Sequence, residues 1–297
     1  MSGKRLAVLQ GVHKRYGPVV ALDGIDLEIR EGELLSLLGV NGAGKTTALS
    51  LITGQIPADA GMVSLFGGDP ALPAQRARLG VMLQEADLPE TLRVGELVHL
   101  QCQYFATPMA VDEALTLAGL ADLAGRRYGA LSGGQKRRVQ FALALAGNPK
   151  LLLIDEPTVG LDVGARRQFW QVIRDLKSRG VSIVLTTHYL EEADALADRI
   201  VVVGRGRVLA EGSPLAIKSR AQGRRVSART SLDLATVRRF AHVAEATESE
   251  GRTTLRSPQV EDVLRQWLAA DPGLADLTVD ALSLEDAFVA LTEETSP

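Results

Sequence analysis

Nine residues, Gly39-Val40-Asn41-Gly42-Ala43-Gly44-Lys45-Thr46-Thr47, constrain this chain more than any other stretch. They follow the apolar run Leu34-Leu35-Ser36-Leu37-Leu38 and precede Ala48-Leu49-Ser50-Leu51-Ile52, which has the character of a helix. A buried strand running through a glycine-rich loop into a helix N-terminus is the setting a phosphate-binding loop requires. Glycines let the backbone close on an anion, with amide N–H groups turned inward as a nest. The helix adds unpaired N–H groups and the positive end of its dipole. On this reading Gly39, Asn41, Gly42, Ala43, Gly44 and Thr47 belong to the cradle. Lys45 reaches the terminal phosphates, and the Thr46 hydroxyl takes a Mg2+ position. The competing reading is an ordinary glycine-rich turn, which the strand before it and the helix after it make the weaker of the two.

At 297 residues, 46% of them hydrophobic, the chain can bury a large core and predicts one large domain plus a small one. A formal net charge of −3 gives no whole-chain case for nucleic acid or anionic lipid as the main partner. Cys102 is the single cysteine, which excludes an internal disulfide and a cysteine metal site and fits a reducing cytosol. The start Met1-Ser2-Gly3-Lys4-Arg5-Leu6 lacks the apolar core of a signal peptide, and no apolar run approaches the roughly 20 residues of a membrane-spanning helix.

Residues 6–16 and 19–29 read as an antiparallel hairpin around Gly17-Pro18. Tyr16 at its tip is either a strand-end aromatic or a surface on which a purine stacks. Leu79 to Leu83 is a buried strand ending at Gln84, an amide placed either to reach a metal and the attacking water or simply as a solvated loop residue. Strand signals then stop, and residues 86–145 read as a helical insert. It contains Leu131-Ser132-Gly133-Gly134-Gln135, with Ser132 a candidate N-cap and the glycines a possible second approach to phosphate.

Leu151-Leu152-Leu153-Ile154-Asp155-Glu156 is a buried strand closed by two carboxylates. Downstream of a phosphate loop, the pair suits a Mg2+ held through water by Asp155 and a water activated by Glu156. A helix from about Val163 to Arg179 carries Trp170 for packing, and the next strand ends at Thr187-His188, where a phosphate contact is credible. Zinc on His188 with Glu191 and Glu192 is rejected, since no second histidine stands four residues on. Gly204-Arg205-Gly206 lacks the third glycine of a dinucleotide fingerprint and reads as a hairpin turn.

After the basic, aperiodic run from Ser219 to Arg225, a second domain begins. The fold class read from the whole chain is α/β. Residues 1–218 form the nucleotide core with an antiparallel β-subdomain and the helical insert. Residues 219–297 form a small α+β domain in the order of a split β-α-β-β-α-β unit, ferredoxin-like and without catalytic residue types.

Five pieces now stand in one order: Gly39 to Thr47, Gln84, Leu131 to Gln135, Leu151 to Glu156 with Gly160-Leu161-Asp162, and His188. Together they resemble the ATP-binding subunit of an ABC transporter, from about Leu6 to Leu215, with Leu-Ser-Gly-Gly-Gln matching the family's signature. The resemblance implies a P-loop NTPase core, ATP and Mg2+ as ligands, and ATP hydrolysis coupled to transport. It implies that Tyr16 stacks on adenine, Lys45 and Thr46 hold phosphates and Mg2+, Gln84 senses the metal, and Asp155 supports it. Glu156 would be the general base and His188 a γ-phosphate contact, while Ser132, Gly133, Gly134 and Gln135 would serve the ATP of a second subunit, with Asp162 at that interface. The implied partners are an integral-membrane permease and a second ATPase subunit, an identical one being favoured, at the cytoplasmic face of the membrane. Val159 and Val163 depart from the family's usual asparagine or serine and proline, at positions that carry no chemistry. Residues Leu282 to Leu291 resemble the tail of ATPases from bacterial drug and antibiotic exporters.

The rival is an ATPase of the same superfamily uncoupled from transport. A DNA-repair relative would carry a long coiled coil or zinc module between Gln84 and Ser132, and a ribosome-acting one two cassettes in one chain. Here that interval is short and the phosphate loop is single.

Overall fold

The computed structural model describes residues 3–83, 87–219 and 223–293, and the chain divides into two compact units, 1–214 and 215–297. In the first, β1 (Arg5–Tyr16) and β2 (Val19–Arg30) form an antiparallel hairpin, and β3 (Leu34–Leu38) leads through the glycine loop into α1 (Lys45–Ile52). There follow β4 (Ala60–Leu65), α2 (Pro73–Arg76), β5 (Leu79–Met82), α3 (Val94–Cys102), α4 (Val111–Leu117) and α5 (Gly133–Leu145). The unit is completed by β6 (Leu151–Asp155), α6 (Val163–Ser178), β7 (Ser182–Thr187), α7 (Leu190–Leu196), β8 (Arg199–Gly204) and β9 (Arg207–Gly212).

The main sheet has six strands in the order β5-β6-β7-β3-β8-β9, parallel except for β9. Strands β3, β6 and β7 are buried at every position, which is why they read as apolar runs rather than as alternating patterns. Each strand nevertheless has two faces. Leu35, Leu37, Leu151, Leu153 and Val184 pack toward α1 and the antiparallel sheet β2-β1-β4, meeting Leu9, Val12, Ile25, Leu27 and Leu49. Leu34, Leu152, Ile154, Ile183 and Leu185 pack on the other side with Val139 and Phe141 of α5, Ile173 and Leu176 of α6, and the helices of the insert. Because β3, β6 and β7 are parallel with Leu38 opposite Thr187 and Asp155 opposite Thr186, their carboxyl ends share one edge.

The turn at Arg205-Gly206 has positive φ at both residues, 49° and 75°, and joins β8 to β9 as a hairpin. The short helices α2 and α7 were not legible in the sequence.

Helix α8 (Pro214–Lys218) begins at the division, so the second unit starts a few residues before the basic run that marks it in the sequence. That unit contains β10 (Arg224–Arg229), α9 (Leu234–Arg238), β11 (Glu245–Ser249), β12 (Arg252–Ser257), α10 (Val260–Ala270), β13 (Ala275–Ala281) and α11 (Leu284–Glu293). Its strands are all antiparallel in the order β11-β12-β10-β13. Val226, Ala228, Ala246 and Leu255 pack against Val237, Val263 and Trp267.

Candidate active site

The glycine loop is shaped by close packing. A Cβ at Gly39 would lie 2.5 Å from the Val203 carbonyl oxygen and 2.9 Å from the Ala43 Cβ. Gly44, the N-cap of α1, has φ of 106°, and a Cβ there would lie 2.5 Å from the Ala21 carbonyl oxygen. Neither position accepts a side chain. No side chain caps α1, so its first-turn amides are left to whatever fills the loop.

Lys45 is buried, and its Nζ donates to the carbonyls of Gly39 at 2.8 Å and Val40 at 3.2 Å. Burial draws its pKa below the ordinary lysine value, while the Glu156 and Asp155 carboxylates work the other way. Thr46 Oγ1 donates to Asp155 Oδ2 at 3.0 Å, joining the first turn of α1 to the end of β6. The other Asp155 oxygen accepts from Thr186 Oγ1, and Asp155 is 1% exposed.

Glu156 is the first residue beyond β6 and has φ of 48°, a left-handed backbone that a non-glycine residue rarely adopts. Its N–H donates to Thr186 Oγ1 at 3.1 Å and to the Thr186 carbonyl at 3.2 Å. One carboxylate oxygen lies 3.3 Å from His188 Nδ1. Lys45, Thr46, Asp155, Glu156 and His188 are thus gathered at one sheet edge, as parallel strands with matched ends dictate.

The other candidates stand apart. Tyr16 is about half exposed at the hairpin tip, with Lys14 Nζ 5.8 Å from its ring centroid. The hairpin itself abuts the loop through Ala21 and Leu22, the neighbours of Gly44. Ser132 is the N-cap of α5 in a reciprocal capping box: its Oγ accepts from the Gln135 N–H at 3.3 Å, and Gln135 Oε1 accepts from the Ser132 N–H at 3.0 Å. Gly133 and Gly134 form the first turn, and among the described residues no hydrogen bond links 132–135 to the glycine loop. Asp162 caps α6, its Oδ1 accepting from the Ala165 N–H at 2.8 Å. Gln84 lies outside the described residues.

Three contributors are not legible in the sequence. Thr186 sits inside an apolar strand yet bonds both carboxylate residues. Arg137 donates to carbonyls at the ends of β5 and β6. Glu192 is fully buried and accepts from Trp170 Nε1 at 3.0 Å, so it serves the packing of α7 on α6; among the described residues no group of side chains suits a metal of the zinc kind.

A strand, glycine loop and helix followed by a strand-end pair of carboxylates define a P-loop nucleoside triphosphatase. A model of the ABC transporter family matches residues 22–159. A Nod factor export ATP-binding protein I from Burkholderia orbicola (strain AU 1054) is 38% identical over 291 residues, covering 95% of each chain. A daunorubicin resistance ATP-binding protein from Streptomyces coeruleorubidus is 35% identical over 301 residues, 96% of this chain and 95% of that one. A dimeric ATP-binding cassette in a post-hydrolysis state, bound to ADP and Pi, superimposes with a TM-score of 0.64 at 28% identity, over 70% of this chain and 98% of that one. The chain belongs to the ABC transporter family and is an ATP-binding, ATP-hydrolysing subunit of it.

Proposed function

We propose that this chain powers an exporter of drugs, antibiotics or other small hydrophobic compounds, working as a pair of cassettes beneath an integral-membrane permease. The observation that carries the chemistry is the assembly of Lys45, Thr46, Asp155, Glu156 and His188 at one sheet edge. ATP lies with its phosphates on the amides of residues 39–47, and Lys45 turns from the Gly39 and Val40 carbonyls to the β- and γ-phosphates. Tyr16 stacks on the adenine. Mg2+ fits the donor set, since Thr46 Oγ1 and Asp155 Oδ2 are hard oxygens already 3.0 Å apart, with Gln84 the further ligand read from sequence. When bound, Mg2+ neutralises charge that builds on the β- and γ-phosphate oxygens. Glu156 accepts a proton from water as the water oxygen bonds to the γ-phosphorus. The bond to the bridging oxygen breaks, leaving ADP and phosphate. His188, 3.3 Å from Glu156, contacts the γ-phosphate and orients that carboxylate.

Ser132 to Gln135 offer helix-start donors to the ATP of the second subunit, so that each site needs two chains. Among the described residues no helix is long and apolar enough to cross a membrane. Pairing with a permease would hold the chain at the cytoplasmic face. The similarity to Nod factor export and daunorubicin resistance proteins supports export of a small molecule. The strand order of residues 215–297 supports a ferredoxin-like accessory domain. Its lack of catalytic residue types and its place after a basic run favour a part that regulates or brackets the dimer over one that hydrolyses anything. Lys45→Ala tests the loop assignment: calorimetric ATP titration and phosphate release are expected to fall together, and wild-type ATP affinity in that variant would refute it.

A further inference from the structure

Arg137 has no role in the chemistry just described, yet its guanidinium holds more backbone at the catalytic edge than any other described side chain. From the second turn of α5, its NH1 donates to the Leu83 carbonyl at 2.7 Å, just past β5, and to Gln140 Oε1 at 2.9 Å. Its NH2 donates to the carbonyls of Asp155 and, at 2.9 Å, Glu156. The planar fork accounts for an arginine at this position. Carbonyls at the ends of adjacent parallel strands point into one space, and several donors fixed in a plane can hold them together, which a single ammonium cannot. Burial draws the Arg137 pKa down, while the Asp155 and Glu156 carboxylates oppose that. A cation sustained there is a structural commitment.

Glu156 is where that commitment acts. Its backbone is in a left-handed conformation, held on the N–H side by Thr186 and on the carbonyl side by Arg137. Loss of either hold is expected to let φ relax toward the ordinary region and to turn the carboxylate away from His188.

We infer that Arg137 is a positioning residue that sets the backbone of Glu156 and with it the direction of the carboxylate. This rests on the reading of Glu156 as general base.

The test is a double-mutant cycle of Arg137→Gln with Glu156→Gln in the full chain, read by steady-state ATPase and by ATP titration. Arg137→Gln alone is expected to lower kcat by about 10- to 100-fold, the cost of a base misplaced by a fraction of an ångström to an ångström, with KM and ATP affinity within about twofold. Arg137→Lys, which keeps the charge and loses the fork, is expected to fold like the wild type and still lose about tenfold or more in kcat. In the Glu156→Gln background, Arg137→Gln should change the residual rate by less than about twofold, because the group it positions is already gone. Full additivity in the cycle would overturn the proposal while leaving the general base in place, as would wild-type kcat in Arg137→Lys or a loss confined to KM. A wild-type rate in Glu156→Gln itself would instead overturn the assignment of the base, and this proposal with it.

Discussion

Thr186→Val removes one hydroxyl from the catalytic edge and keeps the shape of the side chain. The Thr186 hydroxyl donates to Asp155 and accepts from the Glu156 N–H at 3.1 Å, and neither Thr186 nor Asp155 is reached by water. A hydrogen bond to a charged, buried oxygen is worth about 1.5–3 kcal/mol net. The Glu156 N–H keeps the Thr186 carbonyl at 3.2 Å, so its share of the loss is small. Valine suits a strand slightly better than threonine, which offsets a few tenths of a kcal/mol. The net cost is about 2 kcal/mol, which at about 2–4 °C per kcal/mol lowers Tm by about 4–8 °C for a unit of this size. Thr186→Ser keeps the hydroxyl and loses a buried methyl group, costing about 1 kcal/mol. Scanning calorimetry of the full chain should therefore rank wild type above Ser above Val. ATPase assays should follow, with kcat down about tenfold in Thr186→Val, since Asp155 loses one of its two hydroxyl donors and the Glu156 N–H is left with the Thr186 carbonyl alone. A Val variant as stable as the wild type, or a Ser variant less stable than Val, would show that the site is held by packing and refute the hydrogen-bond reasoning.

Tyr16→Ala is expected to weaken ATP binding by on the order of 1–2 kcal/mol, or about 5- to 30-fold, through lost stacking. Unchanged affinity in calorimetric titration would make Tyr16 a strand-end residue only. Glu192→Gln addresses pH: burial raises the Glu192 carboxyl above its ordinary 4.5, opposed by hydrogen bonds from Thr187 and Trp170. The folded chain thus keeps a proton that the unfolded chain releases, a stabilisation complete below about pH 4.5 and lost as pH rises through the raised value. Glutamine carries no such dependence, so in urea melts the stability of Glu192→Gln relative to wild type should climb with pH above about 4.5, and a difference constant from pH 4 to 8 would contradict it.

Fully buried parallel strands announce themselves as apolar runs, and the polar residues closing them stand out against that background. This is why Asp155, Glu156 and His188 could be read directly and were found on one edge. The glycine loop was legible because Gly39 and Gly44 leave no room for a side chain. What stayed hidden depends on tertiary direction. Thr186 looks like any β-branched residue of a strand, and only the register that sets it beside Asp155 reveals a hydroxyl between the Asp155 carboxylate and the Glu156 N–H. Arg137 sits in a basic stretch, Lys136-Arg137-Arg138, whose members are equivalent until the packing of α5 aims one of them at β6. Glu192 stands beside Glu191 in a short polar helix, and nothing local says that one is buried and the other exposed. Short helices such as α2 and α7 fall below the length at which periodicity speaks.

The central claim is that each ATP is hydrolysed between the loop of one chain and the Ser132 segment of another, with Glu156 as the base. It is tested most directly by the mass of Glu156→Gln at saturating ATP, measured by size-exclusion chromatography with light scattering, alone and with the permease subunit. Glutamine keeps the shape and hydrogen bonding of Glu156 but cannot take the proton, so ATP should persist and hold two cassettes together. The expected result is an ATP-dependent dimer that reverts to monomer without nucleotide and is abolished by adding Ser132→Arg. A Glu156→Gln protein that stays monomeric at saturating ATP in both settings, or that hydrolyses ATP at the wild-type rate, would contradict the two-chain mechanism.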